Sequence, residues 1–94
     1  MRRAAKGPTA GEFRAALHRR FYEAERRGAA HLEVTAADLC REVGGRHDDG
    51  ADTLNCCLVM RGEMRTRTDS VLSEPDGGGG KILMIRYKVP RWPQ

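Results

Sequence analysis

The sequence predicts a small α+β domain, and three observations carry that prediction. Between Thr35 and Met64 an apolar period near 3.6 residues stops at Gly44-Gly45 and resumes after Gly50, which gives two short helices joined by a glycine-containing turn. One further amphipathic segment precedes this pair. Two extended segments follow it, separated by Pro75-Asp76-Gly77-Gly78-Gly79-Gly80, a run that neither helix nor strand can cross. With 94 residues there is room for one domain, burying somewhat more than ~60% of the surface of its unfolded chain. One modest core can form, and a large enclosed active site cannot.

Taken in order, residues 1 to 8 carry Arg2, Arg3 and Lys6 without apolar periodicity and read as a basic arm, either a plain disordered terminus or a segment that follows a DNA minor groove or backbone. Thr9 and Glu12 have capping-box spacing, so a helix should run from about 9 to 27 and stop at Gly28. Its stripe of Phe13, Ala16, Leu17, Phe21 and Ala24 faces a core, and Arg19, Tyr22 and Arg26 lie opposite. His31 to Val34 reads as a short first strand. Thr35 and Asp38 repeat the cap spacing, and Val34 with Leu39 forms a hydrophobic staple, which starts a second helix over 35–44.

The third helix, over 51–64, follows a turn whose Asp48, Asp49 or Asp52 can cap it. At 100° per residue it places Thr53, Leu54, Cys57, Met60 and Met64 inward, and Asp52, Asn55, Val59, Gly62 and Glu63 outward with Leu58 at the edge. Strands are predicted near 70–74 and 81–89, the second sending Leu83, Ile85, Tyr87 and Val89 to the core. The predicted core thus comprises Phe13, Leu17, Phe21, Leu39, Val43, Leu54, Cys57, Leu83 and Ile85. The domain proper spans 9–89, and in the tail 90–94 Trp92 sits between two prolines, placed to cover a core edge or to anchor a partner.

Three helices followed by a hairpin with a glycine tip resemble a winged helix-turn-helix domain, with a short first strand and a C-terminal two-stranded wing. The segments LCREVGG, CCLVM and IRYKVPR are similar to those of small bacterial winged-helix proteins over roughly residues 34 to 91. The resemblance implies an architecture and no activity. Proteins of this size and shape in phages and mobile elements act as regulators or as inhibitors of host defence, anti-CRISPR and anti-restriction proteins among them.

Charge divides the chain. Residues 1–30 carry eight Lys/Arg against three Asp/Glu, residues 31–64 three against seven, and residues 65–94 six against three. A groove-reading helix should carry Arg, Lys, Asn or Gln, yet the helix pair is acidic and only Asn55 on its outer face can read a base. Two functions of different class follow. The first, placed ahead because winged helices generally serve it, is double-stranded DNA binding by a regulator or accessory factor through Arg2, Arg3, Arg19, Arg26, Asn55, Arg65, Arg67, Lys81, Arg86 and Lys88. The second is a protein-binding inhibitor or adaptor that uses Asp52, Asn55, Leu58, Val59, Glu63 and Trp92. A homodimer is compatible with either.

Other chemistries find little support. Cys56 and Cys57 point 100° apart on a helix and no CxxC exists, so a zinc site is not expected; a Cys56–His47 nucleophile pair would need a thiolate-stabilising pocket. The glycine run lacks the Lys-Ser/Thr and helix of a P-loop. No enzyme activity and no cofactor are expected. The chain has no apolar run near the ~20 residues of a membrane span, and its start lacks the apolar segment of a secretion signal. A soluble cytoplasmic protein with reduced thiols is the expectation.

Overall fold

Thr9 opens the first helix, α1 (Ala10–Arg26), by accepting the Glu12 N–H at 3.2 Å on its hydroxyl while Glu12 Oε1 accepts the Thr9 N–H at 2.8 Å. This is the reciprocal box the spacing predicts. Gly28, at φ +76°, ends it where side-chain-bearing residues are strained. Phe13, Ala16, Leu17, Phe21 and Ala24 are all buried, as their 3- and 4-residue spacing requires. The computed structural model describes residues 8–44, 50–74 and 82–90. Arg2, Arg3, Lys81, Trp92, the glycine run and Gly45 lie outside them.

Strand β1 (His31–Thr35) leads directly into α2 (Ala36–Glu42), where the Thr35 hydroxyl accepts the Asp38 N–H at 3.1 Å. The Asp38 carboxylate pairs with Arg41 at 2.6 Å. Leu39 and Cys40 are buried, whereas Val43, expected in the core, is half-buried against it because the helix has ended and Gly44 turns the chain at φ +84°. After α3 (Gly50–Gly62), strands β2 (Ser70–Ser73) and β3 (Met84–Lys88) complete the chain's elements among the described residues.

The three strands form one antiparallel sheet in the order β1-β3-β2. The sequence reading separated a two-stranded wing from a minor first strand; instead β1 is a full edge of the same sheet. Leu32 lies opposite Tyr87, and Val34 opposite Ile85. Burying these pairs on one face continues the core across both strands. Leu83, Ile85, Tyr87 and Val89 are buried in the predicted alternation. A register shift between Val71 and Ser73 bends β2. No described helix is long and apolar enough to cross a membrane.

Helix α3 departs most from expectation. Its buried positions are Asp52, Cys56, Val59 and Met60, an i, i+4, i+7, i+8 stripe, while Leu54, predicted for the core, is 60% exposed and Cys57 is half-buried. The helix is therefore turned by about one residue from the projected phase. Leu54, Cys56, Cys57, Leu58, Val59 and Met60 are apolar nearly all round, so the sequence alone leaves the phase weakly determined. Tertiary contacts set it. The Cys56 thiol reaches the Ala36 carbonyl of α2 at 3.5 Å, and the Tyr87 hydroxyl donates to the Met60 carbonyl at 2.8 Å while its ring meets Phe21 edge-on at 5.0 Å.

Candidate functional site

Among the described residues, the predicted site residues bear on the outer face of α3 and on the end of the domain where the 64–69 turn meets the last residues of β3. On α3 the predicted protein-contact set needs correction. Asp52 and Val59 are 7% and 6% exposed, so neither is presented to a partner; the rotation of the helix carries them into the core side. Asp52 lies in the first turn, where its charge complements the helix dipole. Glu63 follows the helix and accepts from His18 at 2.8 Å with Arg14 at 3.5 Å, so it ties the end of α3 to α1. Leu58 is 57% exposed as expected, Asn55 is half-buried beside it, and Leu54, missed by the sequence reading, stands one turn away. Arg61, the basic residue of the last turn of α3, is drawn to Glu74 at 2.6 Å. That hydrogen bond raises the Arg61 pKa further and keeps its charge local.

Several cations assigned to nucleic acid are likewise engaged within the fold. Arg19 and Arg20 share Glu42 at 3.1 and 2.6 Å, which clamps α1 to the end of α2. Arg86 places Nε and Nη2 on Glu33 Oε2 at 3.2 and 3.0 Å, across the β1–β3 register in which the two residues face each other. The Arg26 guanidinium lies over the Tyr22 ring, 5.7 Å from its centroid. Exposed pairs of this kind contribute roughly 0.2–1 kcal/mol to stability, and they lower the positive field available to a polyanion.

Arg65, Arg67 and Lys88 lie close together at the 64–69 turn and the end of β3. They line one open cleft of about 560 Å³ with Thr66 and Thr68. Its frame is Asp69, which is 6% exposed and was read in sequence only as part of the exit from the helix. One carboxylate oxygen accepts the Arg65 N–H at 2.7 Å; the other accepts the Lys88 N–H at 2.8 Å and the Thr68 hydroxyl at 3.2 Å. A short polar residue closing a turn is the local signal for this role, but the Lys88 partner lies 19 residues away and leaves no trace in the neighbouring sequence.

The thiols belong to the core. Burial, with the neighbouring thiols Cys57 and Cys40 adding to it, pushes the Cys56 pKa up to about 12, and burial raises that of Cys57 as well. Both stay protonated at neutral pH, the wrong state for a nucleophile or a metal ligand. Among the described residues no three His, Cys, Asp or Glu converge as a metal site. No family model, curated protein or solved structure matches the chain.

Proposed function

We propose that the chain is a non-enzymatic binding module of winged helix-turn-helix architecture that docks a protein partner through the outer face of α3. The architecture is supported by the order α1-β1-α2-α3-β2-β3 and by the central place of β3 between β1 and β2, the arrangement of a helix-turn-helix followed by a wing. The docking reading rests on one observation: Leu54 and Leu58, one helical turn apart, are 60% and 57% exposed on the helix that a groove-reading member would press into DNA. Leucines read no base edge. Burying each against a partner contributes roughly 1.5–3 kcal/mol.

The test is affinity capture from the source cells, followed by reconstitution with the purified captured protein. The wild type should form a stoichiometric complex that Leu54→Ser/Leu58→Ser loses, while the partner's affinity for an Arg67→Glu/Lys88→Glu variant is retained. A leucine variant that assembles as well as the wild type, or a wild type with no stoichiometric partner, removes this reading. Sedimentation of the protein alone covers the case in which the partner is a second copy. The DNA reading has support from a separate place, the cation-lined cleft.

A further inference from the structure

β1 is an edge of the sheet, and its main chain is answered on one side only. The Ala30 carbonyl accepts the Val89 N–H at 3.1 Å and the Ala36 N–H donates to the Leu83 carbonyl at 2.9 Å, so the even-numbered residues from 30 to 36 bond to β3. By the alternation of an antiparallel ladder, the N–H and C=O groups of His31 and Glu33 point the other way, where no described residue pairs with them. The opposite edge, β2, is broken by its register shift. β1 runs in unbroken register with β3 and holds no proline or lysine to discourage pairing. A cleft of about 360 Å³ opens beside it, lined by Leu32 with Arg19, Arg20, Glu23 and Arg27 of α1 and Glu42 of α2. No residue of β3 lines this cleft, although Leu32 faces Tyr87 across the register, so the cleft lies on the unpaired side of β1.

We propose that a second copy of this chain adds its own β1 antiparallel to this edge, joining two three-stranded sheets into one. One register suits both the main chain and the side chains. With Leu32 opposite Leu32 of the other copy, His31 of each faces Glu33 of the other, and each such pair exchanges both main-chain hydrogen bonds. On the outer face the imidazole then meets a carboxylate. Within its own copy His31 has Lys88 opposite and Glu33 has Arg86, so a carboxylate is the complement His31 takes on its open side. On the inner face the two Leu32 side chains meet at the mouth of the cleft and leave water. Shifting the register to set Glu33 opposite Glu33 brings like charges together. Shifting it further sets Glu33 opposite Thr35, where the chain turns into α2. The cleft walls carry both signs, with Arg19 and Arg20 held by Glu42, so they accept a copy of themselves where a groove of one sign would repel it. The contact is separate from α3 and does not rest on the docking reading.

The experiment is sedimentation equilibrium of the full chain from ~10 µM to ~1 mM, because so short a strand pairing gives a weak dimer. The wild type should pass from monomer to dimer over that range, and amide exchange at His31 and Glu33 should slow as it does. His31→Pro removes a donor on the open edge and no bond to β3, and should stay monomeric throughout. His31→Glu, which faces Glu33 of the other copy, should weaken the dimer about fivefold or more, whereas His31→Gln keeps a side-chain donor and should stay within about threefold of wild type. Leu54→Ser/Leu58→Ser should dimerise as the wild type does. A thermal melt accompanies each variant; where His31→Pro melts early, His31→Glu is read instead. A wild type that stays monomeric at every concentration overturns the proposal, and an extended peptide of another protein then becomes the occupant to test. A dimer that persists unchanged in the His31 variants also overturns it. So does one that Leu54→Ser/Leu58→Ser abolishes, which places the contact on α3.

Discussion

Cys56 shows how one buried side chain joins two helices. From α3 its thiol donates to the Ala36 carbonyl of α2 and lies 4.0 Å from the Met60 sulfur, in a pocket that resists ionisation. The pH consequence has a definite sign. Below the ordinary thiol value of 9.0 both folded and unfolded chains hold the proton, and the stabilisation is fully present. As pH rises from there toward about 12 the unfolded chain releases its proton first, so folding stability falls. Cys57, whose pKa is also raised, acts in the same direction. Urea melts at pH 7, 9 and 10.5 should show a decline that is shallower in Cys56→Ala; equal declines in the two proteins would contradict the pocket described here.

At the scale of elements, α3 is where sequence reasoning and structure part. The stripe on α1 was legible because its apolar residues recur at helical spacing between charged ones, and β3 was legible because Leu83, Ile85, Tyr87 and Val89 alternate with Ile82, Met84, Arg86 and Lys88. Both carry a period strong enough to fix a face. In α3 six apolar residues crowd positions 54 to 60 except Asn55, and projection alone chose the wrong side. What chose the right one is the Tyr87 hydroxyl, 27 residues away in sequence, together with the packing of α2. The same error misplaced Asp52 and Val59 in the candidate site and hid Leu54. Two substitutions check the phase. Met60→Ala should cost on the order of 2–5 kcal/mol, and Leu54→Ala should fall within about 0.5 kcal/mol of wild type. Equal losses in denaturant melts would mean that Leu54 packs inward after all.

Across the whole molecule, exposed ion pairs and the buried carboxylate of Asp69 both hold elements together. Glu42, Glu63, Glu33 and Glu74 each bridge different elements or a helix and a strand end, in water, where such pairs are weak. Asp69 is different, because it is shielded and answers two backbone donors at once. Asp69→Ala should cost about 1–3 kcal/mol from the donors it leaves unanswered. Amide exchange at Lys88 should accelerate with it; a Lys88 amide as protected as before would show that another acceptor replaces the carboxylate. The Glu33–Arg86 and Asp69–Lys88 contacts were not visible along the chain, since strand pairing sets those partners, whereas the Asp69 bonds to Arg65 and Thr68 are local to its turn.

The place of β3 between β1 and β2 has a bearing on how the protein comes to be folded at all. Glu33 meets Arg86 at a sequence separation of 53, and the strand that completes both halves of the sheet is the last of the three to be synthesised. Until it leaves the ribosome, Phe21 and Met60 lack Tyr87, and β1 and β2 have no neighbour to pair with. The helices can form early from local contacts, whereas closure waits on the slowest, most distant pairing. Until β3 has been made, the apolar helix faces it covers stay open, and its docking between β1 and β2, rather than the formation of any helix, sets when the domain becomes resistant to proteolysis.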